Sequence, residues 1–236
     1  MESVQLAILL GLAAGLPILI GGLLATTESP NPQKKTTEFN HFVVAFGGGA
    51  LLSAVALVLV PEGVKGLATW LALSLFLLGG LFFTALDYLL AKSKSPTSQL
   101  VAMLSDFIPE AIALGSTIAI GDSGYLLAFL IALQNLPEGF NAFRELGGAI
   151  STKKKLLFFA GFALLGPIFT ATGHIFLADH HLSVNGLMLF SSGGILYLIF
   201  QDIAPQAKLK NHWIPPLGAV LGFALGLTGH LISAGG

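Results

Sequence analysis

Three carboxylates, Asp106, Glu110 and Glu138, stand in apolar stretches with no lysine or arginine at their depth, and two of them follow a proline. The segments read Asp106-Phe-Ile-Pro109-Glu110 and Gln134-Asn135-Leu-Pro137-Glu138. An ionised acid in an apolar medium is costly, so such groups are protonated, paired or engaged with a cation. The surrounding sequence offers no counter-ion, which points to a cation supplied from outside. Asp106 and Glu110 are four residues apart, and Gln134 and Glu138 repeat that spacing, so each pair shares one face of a helix. Four oxygen-bearing side chains can therefore meet if the two helices face each other. Protonated acids hydrogen-bonded between helices are the purely structural alternative.

The elements that must position these groups are membrane helices. Of 236 residues, 54% are hydrophobic and only 10% charged, with a mean hydropathy of +0.84. This is an all-α integral membrane protein, not a soluble enzyme domain. A bilayer core needs roughly 20 apolar residues per helix. Runs of that kind fall near 4–24, 41–61, 67–91, 99–120, 124–144, 155–177, 184–204 and 214–233, which predicts eight spans in a single domain over 1–236. The first run is too long for the core of a secretory signal and only Glu2 precedes it, so it reads as a membrane helix.

Basic residues orient the bundle, because lysine and arginine collect in cytoplasmic loops. Lys34, Lys35, Lys92, Lys94, Arg144, Lys153, Lys154, Lys155, Lys208 and Lys210 lie in odd-numbered loops, and of the 11 basic residues only Lys65 does not. The odd loops thus face the cytoplasm and both termini face outward, as expected in a plasma (inner) membrane. A net charge of -1, dispersed over short loops, excludes a nucleic-acid surface. The absence of cysteine excludes disulfides, thiolate metal sites and thiol redox chemistry. A homodimer is compatible with the sequence without being specified by it.

Counted inward at roughly 1.5 Å per residue, Glu110 and Glu138 both fall near the middle of the bilayer. Pro109 and Pro137 each remove a backbone donor, which loosens the turns ending at the carbonyls of Ser105 and Leu133. Polar residues extend in both directions from the acids. Asn141 and Glu145 continue along span five from Glu138 toward the cytoplasm, Asn135 stands beside Gln134, and Thr117 and Asp122 lead outward along span four. Asp179, His180 and His181 form an outer cluster suited to collecting a divalent cation, with a solvated loop as the plainer account. Small-residue patches at Gly47-Gly48-Gly49-Ala50, Gly79-Gly80 and Ser191-Ser192-Gly193-Gly194 are expected to let helices approach closely. Two internal similarities stand out. Span two ends in Val60-Pro61-Glu62 and span seven in Ala204-Pro205-Gln206, and the Pro-Glu motif occurs in both spans four and five, in opposite orientations. A three-plus-two-plus-three inverted repeat accounts for both.

These motifs together resemble the ZIP (Zrt/Irt-like) family of metal-ion transporters over essentially the whole chain. The resemblance rests on Gly-Gly-Gly-Ala-Leu-Leu followed by Pro61-Glu62, the Pro-Glu motifs of spans four and five, Gly166-Pro167 in span six, and Gly-Gly-Ile-Leu-Tyr followed by Pro205 in span seven. It implies a ZIP-like bundle that imports zinc, iron or manganese, with the metal as cargo and not as a cofactor. It also implies a transport site between spans four and five, often built for two metals. The first position carries over as Asp106, Glu110, Gln134 and Glu138, with Asp106 where the family has histidine. Asn135 matches a ligand of the second position. Phe107 stands where the family has asparagine, and Gly166 where it commonly has glutamate. The resemblance therefore implies one transported ion at a time, in an all-oxygen site harder than the family's usual one, which makes manganese or iron more plausible than in the family at large, while the family itself points to zinc and the sequence does not decide between them.

The mechanism expected is alternating access. A hydrated divalent cation enters, exchanges part of its water and any protons on the acids for Asp106, Glu110, Gln134 and Glu138, and leaves past Asn141 and Glu145. Spans one, four, five and six rock against the others, as the resemblance implies. Three rivals remain at this stage: an intramembrane metalloenzyme, a ZIP-like regulator that binds metal without moving it, and a proton-coupled carrier of an organic solute. The first lacks a His-Glu-x-x-His motif and a cysteine nucleophile, and the last lacks a basic or aromatic group beside the acids.

Overall fold

Apolar runs of this length satisfy their backbone polar groups most readily as helices. The computed structural model describes residues 2–27, 38–93, 98–121, 124–148, 150–177, 180–210 and 212–235. Among these residues it contains eight helices and no strand. They are α1 (Glu2–Thr27), α2 (38–63), α3 (Thr69–Ser93), α4 (Ser98–Ala119), α5 (Tyr125–Glu145), α6 (Thr152–Phe176), α7 (His181–Ala207) and α8 (Ile214–Gly235). Six of them, α1, α2, α3, α6, α7 and α8, are long and apolar enough to cross a membrane. The other two, α4 and α5, carry the acids and amides singled out above.

Helix contacts divide the bundle in two. α1 lies against α5 and α6, and α4 packs on α6, α5 and α1. In the other group α8 lies along α2, α3 along α7, and the C-terminal end of α7 meets α2. The groups join where α2 touches α5 and α7 touches α4. Exchanging α1 with α6, α2 with α7, α3 with α8 and α4 with α5 maps the α1–α5 contact onto α6–α4. The same exchange maps α2–α8 onto α7–α3 and α2–α5 onto α7–α4.

Small residues make the long contacts possible, because lipid supplies no hydrophobic drive for helices to associate and dispersion contacts require close approach. At Gly79 an added Cβ would lie 1.8 Å from the Phe190 carbonyl oxygen, and at Gly49 it would lie 2.0 Å from that of Ala219. The Gly79-Gly80 patch is thus the α3–α7 seam and Gly47-Gly48-Gly49 part of the α2–α8 seam.

Two expectations change. α4 and α5 run through Pro109 and Pro137 without interruption. The wide turns occur instead in α2, over Val55–Leu59, and in α7, over Ile199–Ile203, each shortly before a proline. Lys155 is also not a loop charge like its neighbours. It is 6% exposed, its Nζ donates to the Gly147 carbonyl at 2.8 Å, and it sits 4.3 Å from the Phe143 ring centroid. The hydrogen bond and ring together compensate a buried ammonium at the end of α5. Lys34, Lys35, Lys94, Asp122 and Asp179 lie outside the described residues.

Candidate metal centre

Asp106 and Glu110 come from α4, and Gln134, Asn135 and Glu138 from α5, on the faces that the four-residue spacing aligns. Asp106, Glu110, Gln134 and Asn135 are 2%, 1%, 1% and 0% exposed. The Gln134 side-chain amide donates to Glu110 Oε2 and so ties the two helices directly. That contact sets the amide orientation, because its nitrogen must face the carboxylate and its carbonyl oxygen is turned elsewhere.

What remains unsatisfied is all of one kind. Asp106 Oδ1, Glu110 Oε1, Gln134 Oε1 and Glu138 Oε2 are buried oxygens with no hydrogen-bond donor among the described residues. Buried polar groups nearly always find partners, and a cluster of acceptors facing no donors is complementary to protons, water or a cation. Among the described residues no three acidic or histidine side chains converge closely enough to hold one ion between them. The arrangement therefore suits an ion that keeps part of its water shell while Gln134 supplies a neutral ligand.

Asn135 plays a different part. Its Nδ2 donates to the Ala14 carbonyl of α1 at 2.8 Å, fastening α5 to α1 beside the acids. Replacing Asn135 with alanine is expected to cost about 1 kcal/mol, the usual net worth of one buried hydrogen bond. Thermal unfolding in detergent checks this, and since Asn135 Oδ1 is itself a buried acceptor without a donor, metal affinity is the readout that shows whether it also faces the ion.

Phe107 and Gly166 explain why the far side of the acids is filled. Phe107 is 0% exposed, and a Cβ added to Gly166 would lie 2.1 Å from the Gly11 carbonyl oxygen and 3.1 Å from Phe107 Cζ. The α1–α6 crossing and the phenyl ring thus occupy the position from which a glutamate on α6 would reach inward.

Cavities flank the acids at both ends of the bundle. Toward the odd-numbered loops a cavity of about 60 Å³ is lined by Asp106, Glu138, Asn141, Asp202 and Gln206 among others. Beside it a cavity of about 30 Å³ is bordered by Gln134, Glu138 and Gly48. Toward the even-numbered loops a larger cavity of about 510 Å³ is lined by Glu62, Thr117, His181, Asn185 and His230. None of the three acids lines it, and the buried Leu114, Leu130 and Ile131 occupy the intervening turns of α4 and α5.

The polar residues flagged in the sequence are therefore distributed, not gathered. Thr117 and His181 border the large cavity and Asn141 the small ones, while His180 is exposed at the start of α7. Glu145 at the end of α5 is in electrostatic reach of Asp202. Sequence reading gave little weight to Asp202 and Gln206, which share a cavity with Asp106 and Glu138. The signal available was their position beside Pro205 in the motif that repeats the end of α2.

No family model matches the chain. It is similar to the zinc transporter ZupT of Akkermansia muciniphila, with 25% identity over 266 aligned residues that cover 95% of this chain and 96% of that protein.

Proposed function

The chain is a divergent member of the ZIP family, and from that premise we propose that it carries divalent transition-metal cations into the cytoplasm through the acids between α4 and α5. The observation that carries this reading is the set of buried acceptor oxygens on Asp106, Glu110, Gln134 and Glu138, with Asn135 Oδ1 beside them, that have no donor among the described residues. A partly hydrated cation, reaching some of these oxygens directly and others through its water, is the partner that suits acceptors without donors. Zinc is the first candidate, since the similar full-length protein is a zinc transporter. The carboxylate-rich, sulfur-free and imidazole-free set favours manganese and iron alongside it.

The eight helices serve this reading as eight spans, with both termini outside. α1, α4, α5 and α6 form the body that carries the acids, and α2, α3, α7 and α8 the body it moves against. The contact pattern that survives exchange of the two halves supports an inverted repeat, the architecture in which one site is exposed alternately to either side. A cation enters through the large cavity, passes the apolar turns at Leu114, Leu130 and Ile131 when the bodies shift, loses part of its water to the four oxygens, and leaves past Asn141 toward Asp202 and Glu145. Protons on the acids exchange for the incoming charge. No bond is made or broken in the cargo.

Uptake by proteoliposomes tests the proposal. Purified protein should accumulate zinc, manganese or iron inside vesicles above the protein-free rate, and competition among the three ranks them. Metal binding without accumulation would instead identify a regulator.

A further inference from the structure

Two wide turns interrupt helices at opposite ends of the bundle, and each borders one of the cavities. The turn Val55–Leu59 of α2 contributes Leu57 and Val58 to the large cavity. The turn Ile199–Ile203 of α7 contributes Asp202 and Ile203 to the small cavity beside the acids. Both have the same cause. Pro61 and Pro205 have no N–H to give the carbonyls of Leu57 and Gln201. The residue before each proline reaches back five places instead, Val60 N–H to Val55 O and Ala204 N–H to Ile199 O. Such turns mark sites where helix hydrogen bonding can change register.

Ile203 occupies a particular place on the α7 turn. It lines both small cavities, and so do Glu138 and Asn141, so these three side chains border both spaces. Across from it α2 has no side chain, because a Cβ on Gly48 would lie 2.7 Å from Ile203 Cγ2. The isoleucine thus fills the gap that Gly48 leaves between α2 and α5. We propose that Ile203, carried on the wide turn of α7, is the gate between the two small cavities that flank Glu138 on the odd-loop side, and so narrows the way out from the acids.

Moving the turn by one position along α7 would rotate Ile203 by about 100° around the helix axis. That rotation takes the side chain off Gly48 and joins the two small cavities into one passage beside Glu138 and Asn141. The Gly193 seam with α3, one to two turns earlier in α7, is held by close backbone contact, with an added Cβ only 1.9 Å from the Phe76 carbonyl oxygen. The change is thereby confined to the end of the helix. This inference rests on the reading that a cation passes through the acids, and it adds the residue that controls the inner step.

The chain contains no cysteine, so a single introduced thiol reports access without background. Met103 is 3% exposed and lines the 60 Å³ cavity without belonging to the ion-holding set. In vesicles, Met103→Cys should react slowly with an impermeant maleimide applied from the odd-loop side. Adding Ile203→Ala should raise that rate at least about tenfold, since minor open states are typically populated at 0.1–10%, and Ile203→Leu should leave it near the parent rate. A thiol at Leu126, in the large cavity, serves as the fold control, and its labelling from the even-loop side should not respond to Ile203→Ala. Equal Met103→Cys labelling with and without Ile203→Ala overturns the gate, and so does a parallel rise at Leu126→Cys. Accelerated Met103→Cys labelling in a protein that accumulates no cation supports the gate while removing the transport reading. Uptake without any labelling response removes the gate alone.

Discussion

Replacing Glu110 and Glu138 together with alanine is expected to reduce uptake of zinc, manganese and iron in proteoliposomes to the protein-free background, a loss of at least about 100-fold. Groups that merely support metal ligands already cost 10–100-fold when removed, and this pair supplies two of the three buried carboxylates. The same variant should be no less stable than the parent in detergent. Glu110 Oε1 and Glu138 Oε2 are buried acceptors without donors, and deleting such groups removes a desolvation cost along with the charge. Among the described residues, the hydrogen bond lost is the one that the Gln134 amide donates to Glu110 Oε2. The two readouts separate a transport site from a structural network of protonated acids, in which deletion would lower the unfolding temperature. If parent and double variant accumulate each metal at the same rate, the acids are not the transport site.

A second large effect is expected from an attempt to build in the asparagine and glutamate that the family resemblance implies at a second metal position. The substitutions Phe107→Asn and Gly166→Glu restore those residue types, yet the pair should destabilise the protein by about 3 kcal/mol or more, at or beyond the upper end for overpacking a well-filled core. The added Cβ at residue 166 would sit 2.1 Å from the Gly11 carbonyl oxygen. That oxygen is backbone, so relief requires α1 and α6 to separate. Deleting the fully buried Phe107 ring removes apolar contact from the same place. Poor recovery of monodisperse protein and a lower unfolding temperature are the expected results. A stable variant that gained a second bound metal by equilibrium dialysis would show instead that the crossing tolerates a glutamate.

The acids were legible because their signal is local. Hydropathy marks the helices, a four-residue spacing puts Asp106 with Glu110 and Gln134 with Glu138, and carboxylates without counter-ions in apolar sequence point to a cation before any packing is known. Class and family followed from the same short-range patterns, and the similarity to a zinc transporter over 95% of the chain agrees with them. The proline signal was read at the wrong sites. α4 and α5 continue through Pro109 and Pro137, while α2 and α7 widen before Pro61 and Pro205. A missing N–H is common to all four prolines, and the surroundings decide whether the helix absorbs the loss or changes register.

By itself the sequence determined that the chain is a helical membrane protein, and it singled out α4 and α5 as the helices on which the proposed cation site is built. Tertiary structure alone decided which faces meet. It placed the Gln134 amide on Glu110, turned Asn135 toward Ala14 of α1, filled the far side of the acids with Phe107 and the Gly11–Gly166 crossing, and set Ile203 opposite Gly48. The physical reason is that in soluble proteins a polar face and an apolar face announce how a helix is oriented, whereas lipid is as apolar as the helices themselves. Partner choice then depends on close fit between small residues and on a few hydrogen bonds, and those are properties of two helices together that neither stretch of sequence contains.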